Sequence, residues 1–226
     1  MVETFTGRAT IRLHNGDCME ALRGIGENEY ELAIVDPPYG IGVQKQRKNS
    51  DRSTAKWKNP TAYAYKTFDD SAPPDVEYFT ELRRVSQNQI IWGGNYFAST
   101  LPISKGWIVW DKKADIKEHL SMCELAWSSY DKKCNKFEFL WAGFKKAKHC
   151  DRIHPTQKPI ALYKWLLANY ANEGDRILDT HGGSMSIAIA CWDLGFDLDL
   201  WELDSDYFAA GVDRLQRHIS QGQFDL

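Results

Sequence analysis

The stretch "ILDTHGGSMSIAIA" (Ile177–Ala190) decides the fold. An aliphatic run leads to an acid at Asp179, two consecutive glycines follow, and small and aliphatic residues then recur at helical spacing. This order predicts a strand, a tight turn and a helix, so that backbone amides at the helix start can approach a ligand. A purely structural turn with an exposed acid is the alternative interpretation.

Strands and helices alternate on both sides of this unit. Short apolar runs predict further strands over Ile11–His14, Leu32–Val35, Gln89–Trp92, Trp107–Trp110, Leu125–Trp127, Phe137–Trp141 and Leu198–Trp201. Helical spacing predicts helices over Asp17–Arg23, Asp75–Val85, Ile160–Tyr170, Ser186–Leu194 and Tyr207–His218. Such alternation is typical of an α/β fold with a doubly wound sheet.

Three acids, Asp36, Asp179 and Glu202, come at or directly after the ends of predicted strands. In doubly wound sheets ligands bind outside the carboxyl ends of the strands, so all three should lie at one edge. Glu202 follows the glycine turn at about the spacing of an acid that binds ribose hydroxyls. Because "HGGSMS" does not supply G-x-G-x-x-G, the pattern predicts a nucleoside cofactor rather than a dinucleotide.

A second motif, "IVDPPYG" (Ile34–Gly40), closes a predicted strand with an acid. Pro37 and Pro38 fix φ and donate no backbone hydrogen bond, so the segment is rigid and its carbonyls stay free. Tyr39 adds a flat ring. These groups are suited to binding a flat molecule that carries an NH2 group. A proline-terminated strand with a surface acid and tyrosine is the alternative.

The composition fits one globular domain of 226 residues. No apolar run approaches the length of a membrane span, and the start "MVETFTGRAT" lacks the apolar core of a signal peptide. Five scattered cysteines without a C-x-x-C pair predict free thiols in a reducing cytoplasm. The spacing of Cys134, His149, Cys150 and His154 matches no zinc finger, so we expect no metal.

A basic segment at about residues 42–70 departs from the net charge of −3. Cations alternate there with aromatic rings and show no helical or strand periodicity, which is typical of a nucleic-acid-binding loop. A solvated loop without a ligand is the alternative. The predicted DNA-binding residues are Lys45, Arg47, Lys48, Arg52, Lys56, Trp57 and Lys58.

Together the motifs resemble the beta-class amino-methyltransferases of DNA, which use S-adenosylmethionine, and among them the short phage-type adenine methyltransferases. The matching segments are Asp36–Tyr39, His154–Pro159 and Asp179–Met185, in circularly permuted order, with "NGDCME" (Asn15–Glu20) and "WELDSDYF" (Trp201–Phe208). The resemblance spans nearly the whole chain. It implies one Rossmann-like methyltransferase domain over residues 1–226, with a target-base half at about 11–130 and a cofactor half at about 154–220.

The resemblance also implies residue roles. The catalytic set is Asp36, Pro37, Pro38 and Tyr39: the Asp36 carboxylate and the Pro37 carbonyl accept the two amine hydrogens, and Tyr39 stacks on a base flipped out of the duplex. Glu202 would bind the ribose, and Thr156 and Lys158 the cofactor's carboxylate. The full cofactor-binding set is Asp17, Cys18, Thr156, Lys158, Asp179, Thr180, His181, Gly183, Ser184 and Glu202. Asp17 is alternatively an ordinary helix cap.

The implied activity is methylation of the exocyclic N6 amine of adenine in double-stranded DNA, without a metal. Asp rather than Ser before Pro-Pro-Tyr favours adenine. Methylation of cytosine at N4 is one alternative, and a DNA-binding homologue with weakened cofactor binding is another. We expect a cytoplasmic protein of a bacterial cell or a phage-infected host, in a restriction–modification context, and a homodimer is compatible with the sequence.

Three positions depart from the family pattern. His181 stands where Phe is common, Met185 replaces the last glycine of the turn, and Leu200 replaces the glycine two residues before Glu202. Glycines there admit the cofactor closely, so side chains at 185 and 200 are expected to weaken binding. On this expectation, Met185→Gly with Leu200→Gly should tighten it.

Overall fold

The computed structural model describes residues 1–42, 70–113, 121–142, 145–146 and 153–222. Within these ranges the strands are β1 (Val2–Thr6), β2 (Thr10–Asn15), β3 (Tyr30–Val35), β4 (Ser86–Trp92), β5 (Ile108–Asp111), β6 (Cys123–Ser128), β7 (Asn135–Glu138), β8 (Trp141–Ala142), β9 (Lys145–Lys146), β10 (Arg176–Asp179) and β11 (Asp197–Glu202). The helices are α1 (Cys18–Leu22), α2 (Val76–Val85), α3 (Ile160–Tyr170), α4 (Ser186–Leu194) and α5 (Ser205–Gly222).

Nine strands form one mixed sheet in the order β1-β2-β11-β10-β3-β4-β6-β5-β7. The five strands from β2 to β4 in this order run parallel to their neighbours. β1 is antiparallel to β2, and β6 is antiparallel to both β4 and β5. The α/β sheet predicted from the alternation is confirmed.

The sheet is covered on both faces, as a doubly wound fold requires. Successive side chains of a strand point to opposite faces, and β3 shows this clearly. Leu32 and Ile34 belong to a core cluster that includes side chains of α3, α4 and α5. Ala33 and Val35 belong to a second cluster with α1 and α2. A strand buried on both sides needs the continuous apolar run that the sequence provides.

Two details of the sheet differ from the predictions. The strand predicted over Phe137–Trp141 ends at Glu138, and Trp141 begins β8, which pairs with β9 outside the main sheet. β1 was not predicted, because its sequence "VETFT" is exposed except for the half-buried Phe5 and shows no core-facing pattern. It is held by pairing with β2 along its whole length.

The three acids lie at one edge of the sheet, as predicted. β3 pairs with β10 and β10 with β11, all parallel, so their carboxyl ends meet. Asp36 directly follows β3, Asp179 ends β10 and Glu202 ends β11. This edge is where a site can be built from several strands.

Some predictions concern residues that the structure does not describe. The whole predicted DNA-binding set lies outside the described residues: Lys45, Arg47, Lys48, Arg52, Lys56, Trp57 and Lys58. Among the helices that are described, none combines the length and the apolar character needed to cross a bilayer.

Candidate active site

Asp36 has two partners within the chain. Its Oδ1 accepts a hydrogen bond of 2.6 Å from the Tyr39 hydroxyl, and its Oδ2 forms an ion pair with the Lys158 ammonium. Burial and then the Asp36 carboxylate raise the pKa of Tyr39 well above its usual value, so the hydroxyl remains a donor. Asp36 is therefore held between a phenol and a cation. Lys158, expected at the cofactor's carboxylate, lies instead beside Asp36 and Tyr39.

The Tyr39 ring is positioned by a glycine. Gly93 follows β4 with a φ of 71°, and a Cβ added there would lie 2.2 Å from Tyr39 Cε1. Only glycine tolerates both that left-handed backbone and that contact. The ring also stacks on Tyr96, with 5.1 Å between centroids and 20° between planes. Stacking of Tyr39 on a base stays a prediction.

Buried hydrogen bonds and a ring contact stabilise the glycine-rich turn. The His181 amide donates to Asp179 Oδ1 at 2.9 Å, and the Thr180 and Tyr78 hydroxyls share a buried hydrogen bond of 2.7 Å. The Tyr78 ring meets the His181 ring edge-on at 5.4 Å. Burial lowers the pKa of His181 to about 4, so the ring is neutral at pH 7. Tyr78, on α2, is an anchor that sequence reasoning missed.

Glu202 joins the turn to the loop between β2 and α1. Its Oε2 accepts from the Gly183 amide at 2.7 Å and its Oε1 from the Asp204 amide at 2.8 Å. Its carbonyl accepts from the Gly16 amide at 3.1 Å. Each carboxylate oxygen has a second lone pair, so Glu202 retains acceptor capacity for ribose hydroxyls.

The predicted adenosine-contacting residues, Asp17 and Cys18, lie at the start of α1. Asp17 caps this helix, since its Oδ1 accepts from the Met19 amide at 2.8 Å. The helix-cap alternative is thus observed, and a cofactor role for Asp17 stays a prediction. Burial and the Asp17 charge raise the pKa of Cys18 to about 12, so this thiol is neutral.

The segment that contains Thr156 approaches the turn through His154. His154 Nδ1 lies 3.0 Å from Thr156 Oγ1 and 3.7 Å from the point where a Cβ on Gly183 would be. The Gly183 φ is 50°. Bare backbone therefore faces the His154 ring, and a Cβ at position 183 would be in ordinary van der Waals contact with that ring. Across the turn, the Ser184 carbonyl accepts a hydrogen bond of 2.5 Å from Arg214 Nη1.

The acids give the site an excess of negative charge around Asp179. Burial raises the pKa of Asp179 to about 8, the His181 amide opposes this, and Asp36 and Glu202 raise it further. Burial also raises the pKa of Glu202. A positively charged ligand would relieve this repulsion, and the sulfonium of S-adenosylmethionine carries such a charge. The residues present therefore fit that cofactor.

Met185 and Leu200 pack into the core, so the structure does not support the expectation that their side chains weaken cofactor binding, which stays untested. Both are fully buried. A Cβ on Gly211 would lie 2.6 Å from Met185 Sδ, and one on Gly182 would lie 2.3 Å from Leu200 Cδ2. Each large side chain fills the space that a glycine leaves in the core. Met185 does adopt a left-handed φ of 54°, the conformation that favours glycine.

We therefore expect Met185→Gly with Leu200→Gly to destabilise the protein rather than tighten cofactor binding. Two core cavities should lower the free energy of unfolding by about 4 kcal/mol or more, against about 1 kcal/mol returned by relief of the left-handed strain. Urea unfolding measures the change. Leu203→Gly, at a position 73% exposed, is the control and should cost under about 1 kcal/mol. Equal stability of wild type and double variant would contradict the packing described.

Sequence reasoning also missed two charged residues at this edge. Glu124 Oε2 lies 3.4 Å from Lys158 Nζ, and Glu124 Oε1 lies 2.6 Å from Lys112 Nζ. The sequence gives only a weak signal for this pair. Glu124 is an acid near the start of the largely apolar strand β6, and Lys112 directly follows β5, the neighbour of β6 in the sheet.

The chain is similar in sequence to known DNA methylases. Residues 107–213 match the model of the N6/N4 DNA methylase family. The chain is similar to the type II methyltransferase M.HpaI of Haemophilus parainfluenzae, with 23% identity over 92% of this chain and 75% of the relative. The chain is thus similar to DNA methylases of this family over nearly half of its length.

Solved structures agree with the fold. The M1.HpyAVI–SAM complex superposes with a TM-score of 0.55 at 18% identity, over 90% of this chain and 99% of that one. The PvuII DNA methyltransferase, described as cytosine-N4-specific, gives a TM-score of 0.56 at 11% identity, over 93% and 92%. The predicted Rossmann-like methyltransferase fold is confirmed.

Proposed function

We propose that this chain transfers a methyl group from S-adenosylmethionine to the exocyclic N6 amine of adenine in double-stranded DNA, as a beta-class enzyme of the short phage type. The observation that carries the proposal is the position of Asp36. Its carboxylate lies on a rigid Pro-Pro segment, at the same sheet edge as the Asp179 turn and Glu202. A target base held by Asp36 is therefore next to the cofactor-binding half.

In this proposal the chain holds and orients the amine. Asp36 accepts one amine hydrogen and the Pro37 carbonyl accepts the other, which directs the nitrogen lone pair away from the ring. A carboxylate has about four acceptor sites, so Asp36 can keep its hydrogen bond from Tyr39 while it binds the amine. S-adenosylmethionine supplies an electrophilic methyl group. The rate enhancement then comes from positioning and preorganised electrostatics.

Adenine is proposed because Asp, and not Ser, precedes Pro-Pro-Tyr. Cytosine N4 is the alternative, favoured by the similarity to the PvuII enzyme. The basic segment at about 42–70 is proposed to contact DNA phosphates, since cations there release counterions. We also propose that the protein forms a homodimer, that it is located in the cytoplasm of a bacterial or phage-infected cell, and that it acts in restriction–modification.

One experiment tests the proposal. The protein is incubated with tritiated S-adenosylmethionine and unmethylated plasmid DNA, which is then digested to nucleosides and separated by chromatography. We expect label in N6-methyldeoxyadenosine. Label in N4-methyldeoxycytidine would establish the alternative base. DNA binding without cofactor binding by calorimetry would identify a homologue that has lost the activity, and the proposal would fall.

Cofactor affinity should rise with pH because of Asp179. Its raised pKa of about 8 means that this carboxyl binds a proton in the free protein below that pH. A cationic ligand favours the ionised form, so binding releases the proton and the affinity should increase by up to about tenfold per pH unit. Calorimetry between pH 6 and 7.5 stays below the range of about 7.7–8.0 in which an α-amino group titrates.

The controls separate Asp179 from its neighbours. Asp179→Asn should remove the pH dependence, whereas Glu202→Gln should weaken binding and retain it. A flat profile for the wild-type protein would contradict a protonated Asp179 in the free site.

A further inference from the structure

Glu124 reaches the catalytic edge because β6 runs against its neighbours. β6 pairs antiparallel with β4, with Ala126 opposite Trp92. The first residues of β6 therefore lie where β4 ends. β5 is antiparallel to β6, so Lys112, which directly follows β5, lies at the same edge. The topology thus brings together two charges, one near the start of β6 and one directly after β5.

Four charges alternate in sign along a continuous line of contacts: Asp36, Lys158, Glu124 and Lys112. The Lys158 ammonium contacts Asp36 Oδ2 and lies 3.4 Å from Glu124 Oε2. The other oxygen of Glu124 lies 2.6 Å from Lys112 Nζ. The Lys158 side chain is only 3% exposed, whereas that of Glu124 is 26% exposed. Lys158 is therefore a buried cation shared by two carboxylates.

The side chains of Lys158 and Glu124 are both charged at neutral pH. Burial lowers the pKa of Lys158, but the Asp36 and Glu124 carboxylates outweigh it and the net pKa lies above its usual value. For Glu124, burial raises the pKa, and Lys158 and then Lys112 more than reverse that effect. The contacts are therefore ionic, and each charge depends on its neighbours.

Methyl transfer requires a change in this arrangement. Asp36 has one oxygen bonded to Tyr39 and the other paired with Lys158. Each oxygen has one further lone pair, so an amine bound at Oδ2 shares that oxygen with the lysine and weakens the ion pair. A buried ammonium that loses its carboxylate without replacement is strongly unfavourable. The Trp92 ring, whose centroid is 5.4 Å from Lys158 Nζ, offers only a cation–π contact. A carboxylate already 3.4 Å away can accept the cation after a small shift.

We propose that Glu124 is a positioning residue that retains the Lys158 ammonium while Asp36 binds the target amine. The inference rests on the proposed methyl transfer and deepens it. Glu124 also draws part of the lysine charge away from Asp36, which leaves that carboxylate a stronger acceptor for the amine. Glu124 should therefore affect the chemical step, through Lys158, and leave cofactor affinity unchanged.

A double-mutant cycle tests this coupling. Single-turnover methylation of unmethylated plasmid DNA by excess enzyme is measured for wild type, Glu124→Gln, Lys158→Met and the double variant, with cofactor affinity by calorimetry. We expect Glu124→Gln to slow transfer at least about tenfold, which corresponds to about 1.4 kcal/mol, with cofactor affinity within about threefold of wild type. In the Lys158→Met background the same change should slow transfer less than about twofold.

A matched control separates this role from general stability. Asp193 is a carboxylate on α4 that is likewise shared by two basic groups, Lys164 and His218, each at 2.6 Å. Asp193→Asn should leave the transfer rate unchanged. If Glu124→Gln lowers the melting temperature too far, Glu124→Asp keeps the charge and should transfer faster than the glutamine variant under the same conditions.

Each outcome decides the matter. An unchanged rate for Glu124→Gln, an equal effect in both backgrounds, or a loss of cofactor affinity that explains the slowing would overturn the role of Glu124 while leaving the activity standing. No transfer by the wild-type protein would overturn the proposed function itself, and the inference with it.

Discussion

Asp36→Ala is expected to reduce methyl transfer at least about a hundredfold, since a positioned group that handles the reacting proton contributes about 10²–10⁴-fold. The physical reason is that Asp36 supplies the carboxylate at this rigid Pro-Pro segment, and a neutral carbonyl is a weaker acceptor for the first amine hydrogen. Cofactor affinity should stay within about threefold, because the turn around Asp179 is built from other residues. Single-turnover transfer and calorimetry measure the two effects.

The same variant should also lose stability, because among the residues that the structure describes Lys158 then keeps only Glu124 as a carboxylate partner. The melting temperature must therefore be measured beside the rate. Asp175→Ala removes an acid that bonds only to Asn172 among the contacts described for it, and it should transfer at the wild-type rate. Retention of more than about a tenth of the activity by a folded Asp36→Ala would exclude the catalytic role.

Gly93→Ala should have the second largest effect. The new Cβ would lie 2.2 Å from Tyr39 Cε1, so the ring must move and its hydroxyl must leave Asp36. The left-handed φ of 71° adds backbone strain of about 1–2 kcal/mol. We expect transfer to fall about a hundredfold or more, because misplacement by about 1 Å at a reacting centre can cost that much.

A matched variant isolates the clash from the strain. Gly174 has a φ of 87°, but a Cβ there would meet nothing within 4 Å. Gly174→Ala should therefore lower the free energy of unfolding by about 1–2 kcal/mol without changing the rate. If both alanine variants behaved alike in the transfer assay, the contact with Tyr39 would have no catalytic consequence.

Much of the fold was predictable because its signals are local. Asp17 and Asp75 mark two helix starts, and in the structure each caps its helix through the side chain. The helices at Ile160–Tyr170 and Ser186–Leu194 begin and end where their apolar spacing predicts. The shared edge of Asp36, Asp179 and Glu202 followed from one general rule about parallel strands.

The remainder depends on contacts between distant parts of the chain. The antiparallel insertion of β6 between β4 and β5 brings Glu124 to Lys158, and no local pattern encodes that pairing. No local sequence pattern predicts the directions of the Met185 and Leu200 side chains either. A comparison of motifs indicates that glycine is absent at positions 185 and 200. Only the packed structure shows that Gly211 makes room for Met185 and that Gly182 makes room for Leu200.

The pairing of Leu200 with Gly182 restricts the order in which this turn can evolve. A side chain on Gly182 with Leu200 in place would create an overlap at 2.3 Å with a packed neighbour. Losing Leu200 first creates a cavity instead, at a cost of about 2–5 kcal/mol that a protein can survive if other residues stabilise it. A stepwise exchange of the two volumes therefore passes through an intermediate with a small residue at both positions.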